Sequence, residues 1–224
     1  MTRMTNARIA GVTYLLYIAV GLTSLFLGSG ATSGEGTAAK LASIAQHVPQ
    51  MRINMGLGLI TSFTALLLAV ALYGITRDED HELAVFGLAC RVGEGMLGVV
   101  STLATLGLLW LATAGAGAPD AAGAEALAAL LLKVEGWNVL LAATLFAVGS
   151  TVFSWLLLRG RMIPISLAWL GVVASILLVV CLPLQLAGFL GGPITQLVWL
   201  PMLAFEVPLG LWLIIKGVAV PAPR

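Results

Sequence analysis

Six long apolar runs alternate with short polar segments along the chain, at residues 9–28, 53–75, 83–112, 136–158, 163–186 and 194–216. About 20 apolar residues in a helix cross a hydrocarbon core of roughly 30 Å, and each run is close to that length. The pattern predicts an all-α integral membrane bundle of six transmembrane helices, one domain over residues 1–224. The third run is longer than a bilayer needs: about 30 helix-compatible residues make roughly 45 Å of helix, which must tilt or protrude. Before the fourth run, Asp120 opens an Ala/Leu-rich helix that reaches Lys133. Gly136 is expected to break it at the bilayer surface and leave an interfacial piece outside. A short helix over 38–46, stopped by Pro49, is expected in the first long loop.

Composition removes the soluble alternatives. Charged residues are 9% of the chain and hydrophobic ones 60%, whereas a soluble shell takes about a quarter charged. A net charge of +1 gives no basic footprint for nucleic acid. Cys90 and Cys181 lie far apart inside apolar runs without CxxC spacing, and read as small buried residues. The first run follows Arg3 and Arg8 but exceeds a signal-peptide core of about 7–15 residues, so it reads as an uncleaved anchor.

Lysine and arginine set the expected orientation. With both termini cytoplasmic, the inner segments carry Arg3, Arg8, Arg77, Arg159, Arg161, Lys216 and Arg224, and the outer ones only Lys40, Arg52 and Lys133. This is the asymmetry of the positive-inside rule, to which acids such as Asp78, Glu79, Asp80 and Glu82 contribute little. Tryptophans support the same threading: Trp110, Trp137 and Trp199 fall at the outer headgroup level, and Trp155, Trp169 and Trp212 at the inner one.

The ends of the runs carry a further pattern. Arg8-Ile9-Ala10-Gly11 opens the first, Arg91-Val92-Gly93-Glu94 sits in the third, and Arg159-Gly160-Arg161-Met162-Ile163-Pro164 joins the fourth to the fifth. Phe205-Glu206, then Leu211-Trp212-Leu213-Ile214-Ile215-Lys216-Gly217, closes the sixth. Over nearly its whole length the chain resembles the bacterial multi-pass family known as domain of unknown function 4386. The resemblance implies a six-span protein of the bacterial cytoplasmic membrane and brings no established activity. Where that family often places His or another polar group in the fourth span, this chain reads Trp137-Asn138.

The remaining information lies in the polar residues inside the apolar runs. An ionised side chain near the bilayer centre costs about 2.5–3.5 kcal/mol on insertion scales, and Arg91, Glu94 and Glu206 all face that penalty. Counted from the nearer helix ends, all three lie roughly 12–17 Å from the inner edge and share a layer. Arg91 is expected to bridge Glu94, three residues on, and to approach Glu206 across the third and sixth helices, directly or through one water. Gly87, Gly95 and Gly98 allow close helix approach, and Pro201 and Pro208 free carbonyls around Glu206. One guanidinium facing two carboxylates calls for another cation or a proton. A plain structural pin is the alternative reading.

A second polar group, Arg52, Lys133, Glu135 and Asn138 with His47 close by, falls near the outer face. It reads as interfacial snorkelling or as a site for an anionic headgroup. The run Arg77-Asp78-Glu79-Asp80-His81-Glu82 reads as a solvated loop whose acids suit the following helix N-terminus. No metal-ligand spacing, cofactor motif, HExxH or GxSxG is present. Three functions stay open: binding or movement of a small amphipathic or cationic solute at Arg91, Glu94 and Glu206; a structural or regulatory membrane partner; or an intramembrane enzyme acting on a lipid.

Overall fold

A computed structural model describes residues 2–117 and 119–219 of the protein. Arg224, counted above among the inner cations, lies outside the described residues. The described chain is helical without strands: α1 (Arg3–Ala31), α2 (Thr37–Gln46), α3 (Val48–Thr76), α4 (His81–Thr113), α5 (Ala121–Arg159), α6 (Ile165–Leu186), α7 (Ile194–Leu197) and α8 (Leu200–Ile215). Six segments are long and apolar enough to cross a membrane: α1, α3, α4, α5, α6 and the stretch Ile194–Ile215. Large apolar side chains such as Phe26, Phe63, Leu103 and Ile215 point outward and exposed on all sides, the surface a hydrocarbon solvent requires.

Helix starts are encoded locally. Asp80 accepts from the Leu83 N–H at 3.1 Å and Asp120 from the Gly123 N–H at 2.9 Å, each closing an orphan donor worth about 1 kcal/mol. Pro49 falls in the first turn of α3 rather than stopping α2, because a fixed φ and a missing N–H suit that position. α2 ends at Gln46 and is capped by His47, whose N–H turns back to Ser43 and Ile44.

Two expectations about helix continuity are corrected. α5 runs unbroken through Gly136 for 39 residues, about 58 Å of helix. A single glycine costs only about 1 kcal/mol in a helix. Here the early turns of α5 are held upright against α4 and α2 by a small second core around Ile44, Met51, Leu108, Leu111 and Ala128. The sixth run is not one helix. It breaks at Val198–Trp199 into the single turn α7 and the 16-residue α8, since Pro201 cannot donate across the joint.

The six spans form a closed ring. Each packs on the next along the chain, and α8 completes the circle by packing on both α6 and α1. The α1–α8 seam depends on facing glycines: a Cβ at Gly11 would lie 2.6 Å from the Gly210 carbonyl oxygen and 2.8 Å from Ile214. Without a hydrophobic force between helices in lipid, such close backbone contact is the main source of association. α4 and α8 form no packed seam. They stand across the ring from one another.

One end of the bundle is tied by charge. Arg159, at the end of α5, pairs with Glu79 at 3.2 Å and Asp80 at 3.1 Å, and Arg3 donates to the Ile75 carbonyl at 2.7 Å with Asp78 at 3.9 Å. The 78–80 loop is therefore a clasp between α1, α4 and α5 rather than only a solvated turn. The main core, around Leu68, Leu72, Phe153, Leu157, Phe205 and Leu209, fills the ring on this side.

Candidate functional site

The site begins with Arg91, the largest fully buried side chain among the described residues, at 1% exposure. It stands ten residues into α4, about 15 Å from the charged end. Its aliphatic stem crosses α5 at Gly149, where a Cβ would meet Arg91 Cγ at 2.9 Å and Cδ at 3.1 Å. Passing over that glycine brings the guanidinium carbon 4.7 Å from the Phe146 ring centroid and 5.7 Å from that of Tyr17. Cation–π attraction is strongest in such desolvated settings, about 2 kcal/mol.

Glu94 supplies the countercharge one turn on. Its Oε2 lies 2.8 Å from Arg91 Nη1, and the Tyr17 hydroxyl of α1 donates to its Oε1 at 2.7 Å. The carboxylate is thus held from both sides, while the N–H directions of Arg91 complete no aligned hydrogen bond at Nε, Nη1 or Nη2. Tyr14, one turn before Tyr17 on α1, is buried beside the same charges.

Glu206 reaches the interior from α8, nine residues from its end at Ile215, about 14 Å along the axis. It is 5% exposed, and its Oε1 has no hydrogen-bond partner. Among the described residues no base lies within 4.0 Å of it. The charges it feels are those of Arg91 and Glu94. The direct form of the expected Arg91–Glu206 bridge is therefore corrected, since no salt bridge joins the two within 4.0 Å. Arg91 is committed to Glu94 and Phe146, and the ring sets α4 and α8 on opposite walls.

The second expected group forms no ion pair among the described residues. Arg52 and Lys133 are exposed, on α3 and α5, and neither forms an ion pair among the described residues. Asn138 is buried and donates from Nδ2 to the Leu97 carbonyl at 2.8 Å and to Ser101 Oγ at 2.7 Å, a clamp between α5 and α4. Glu135 turns inward beside Thr105 and lines a cavity of about 110 Å³ with Ser24, Asn54 and Ser101. A second cavity, of about 100 Å³, lies against Tyr17, Ser62 and Glu94. His47 closes locally on the Ser43 carbonyl at 2.8 Å.

Sequence reasoning missed Tyr17, Phe146 and Gly149. The available signal was the pair Tyr14 and Tyr17, two of only three tyrosines in the chain, three residues apart inside an apolar run. No group of three or more His, Cys, Asp or Glu side chains converges as a metal site among the described residues. Cys90 and Cys181 are free thiols.

Six apolar spans around a buried ion-pair cluster define a multi-pass helical membrane protein. The chain belongs to the family described as domain of unknown function DUF4386, whose model matches residues 9–217. Comparison with curated proteins and with solved structures finds no match.

Proposed function

We propose that the protein binds or moves a small cationic solute through the intramembrane cluster of Arg91, Glu94 and Glu206. The observation that carries this reading is Glu206: a carboxylate in the bundle interior, without a base in range, facing a guanidinium already matched to another carboxylate. A buried carboxylate left alone is costly, and a proton or a mobile cation is what neutralises it. Intramembrane acids in this situation mark ion and proton pathways. The cavity that reaches the cluster, at Glu94, holds about 100 Å³, against about 300–1,000 Å³ for ordinary ligand pockets. That size favours hydronium or an ammonium-sized cation over a bulky amphipathic molecule. The membrane is taken to be the bacterial cytoplasmic one, with both termini inside, on the arginine asymmetry of the spans.

A second reading, a structural or regulatory membrane partner, draws support from the well-packed Arg91–Glu94–Tyr17–Phe146 cluster. The two separate in liposomes loaded with a pH-sensitive dye and driven by a potassium diffusion potential. Solute movement predicts proton or methylammonium flux above protein-free liposomes, abolished in Glu206→Gln with folding retained. Flux equal to that of empty liposomes for both solutes sinks the proposal in favour of the structural role.

A further inference from the structure

The two cavities are half-open and lie one above the other along the same four helices. Moving from the first to the second, Ser24 of α1 gives way to Tyr17, Asn54 and Met55 of α3 to Thr61 and Ser62, and Glu135 of α5 to Ala142. Each step is seven residues, two helical turns, about 10.5 Å. The levels meet at Gly98 of α4, which lines both. A Cβ at Gly98 would lie 2.5 Å from Ser62 Oγ, so a side chain here would close the space where the two levels meet.

The lining has a definite polarity. Thr61, Ser62 and Thr105 donate their hydroxyl protons to carbonyls four residues back, at 2.9, 3.0 and 3.2 Å. Ser24 donates to Asn54 Oδ1 at 2.6 Å, and Ser101 Oγ accepts from Asn138. The hydroxyls of Thr61, Ser62, Thr105 and Ser24, whose protons go to protein acceptors, offer lone pairs to whatever occupies the column. Glu135 stands at one end and Glu94 at the other. Such a lining accepts hydrogen bonds; Glu135 at one end makes no ion pair among the described residues, whereas Glu94 at the other is matched by Arg91 at 2.8 Å.

We infer that the column between α1, α3, α4 and α5 is a hydrated access route by which small hydrogen-bond-donating cations pass from Glu135, past the Gly98–Ser62 constriction, to Glu94 and Arg91. Each level has room for several waters, which need about 10–15 Å³ apiece and two or more polar partners. Glu135 recruits the cation at the mouth, Gly98 sets the bore, and anions are turned away. The route deepens the proposed cation function, but its test below does not depend on turnover.

The test uses single cysteines in a background lacking Cys90 and Cys181, in lipid nanodiscs that leave both faces open. Thr102→Cys probes the first level and Thr61→Cys the second. Val100→Cys and Leu103→Cys, outward-facing on the same turns of α4, report on lipid. The probes are cationic aminoethyl and anionic sulfonatoethyl methanethiosulfonate. Both column cysteines should react faster than the lipid-facing pair, with the cation favoured about tenfold, the low end for a cleft lined by one sign of charge. Glu135→Gln should collapse that preference. Gly98→Val should protect Thr61→Cys and spare Thr102→Cys, whose reaction also reports that the variant is folded; Gly98→Ala serves in its place if the valine variant does not fold. Column cysteines no more reactive than the lipid-facing ones, an absent charge preference, or an unprotected Thr61→Cys would each overturn the route. A wet, cation-selective column in a protein whose Glu206→Gln variant has normal flux would leave the route standing and refute the role of Glu206.

Discussion

Replacing Arg91 by leucine removes the one cation of the buried cluster, and the structure says which second substitution should rescue it. Arg91 is paired with Glu94 at 2.8 Å and rests 4.7 Å from Phe146, whereas Glu206 makes no ion pair. Arg91→Leu alone strands the Glu94 carboxylate. Breaking a buried pair in this way costs about 3–5 kcal/mol. The lost cation–π contact adds about 2 kcal/mol at most, and leucine regains part of the stem packing over Gly149. Adding Glu94→Leu removes the stranded charge, and apolar replacement of a whole buried pair is neutral or stabilising by about 1–4 kcal/mol. The double variant Arg91→Leu/Glu94→Leu should therefore return to within about 1 kcal/mol of the parent, while Arg91→Leu/Glu206→Leu should stay near the single variant because Glu94 remains stranded. Reversible unfolding in mixed detergent and SDS micelles, followed by tryptophan fluorescence, measures all four proteins. Rescue by Glu206→Leu and not by Glu94→Leu would refute the pairing and restore a direct Arg91–Glu206 bridge.

Three further outcomes follow from the same geometry. Tyr17→Phe deletes a 2.7 Å hydrogen bond to a carboxylate and should cost about 1.5–3 kcal/mol in the same unfolding assay, with no effect in a Glu94→Leu background. Gly11→Ala places a methyl 2.6 Å from the Gly210 carbonyl; overpacking of this kind costs about 1–3 kcal/mol, and cross-linking between engineered cysteines on α1 and α8 should fall with it. For orientation, a membrane-impermeant thiol reagent added to intact cells should label Gly34→Cys and Gly117→Cys but not Asp80→Cys or Gly160→Cys, and the reverse pattern would invert the topology.

The number of spans was legible because a bilayer demands about 20 apolar residues per crossing, and nothing else in the chain imitates that. Their ends were less so. α5 continues through Gly136 because α2 and α4 support it from the side, a tertiary cause that local composition does not carry. The break before α8 was written in Pro201, yet an apolar count runs straight across it. Arg91 with Glu94 was readable from a three-residue spacing on one helix. Glu206 was placed among the right charges, but without the direct salt bridge to Arg91. Counting residues from a helix end yields depth, whereas the order of helices around the ring depends on glycine contacts such as Gly11 with Gly210. Small residues recur in every span, so that angular information was hidden. Tyr17 and Phe146 come from other helices and depended on the same missing coordinate. In the outer quartet Asn138 is satisfied by α4, while Arg52 and Lys133 are exposed, the arrangement of the snorkelling reading and not of a converging headgroup site.

The central claim is that Glu206 carries an exchangeable charge inside the membrane. Infrared difference spectroscopy of the protein in lipid, recorded while the medium is switched between acid and alkaline pH and with or without methylammonium, observes that carboxyl group directly. The account predicts a carboxylic-acid carbonyl band that appears and disappears with these changes and is absent from Glu206→Gln, while the Glu94 band stays unchanged. A difference spectrum identical in the parent and Glu206→Gln would show that Glu206 neither takes up nor releases charge, and would contradict the account.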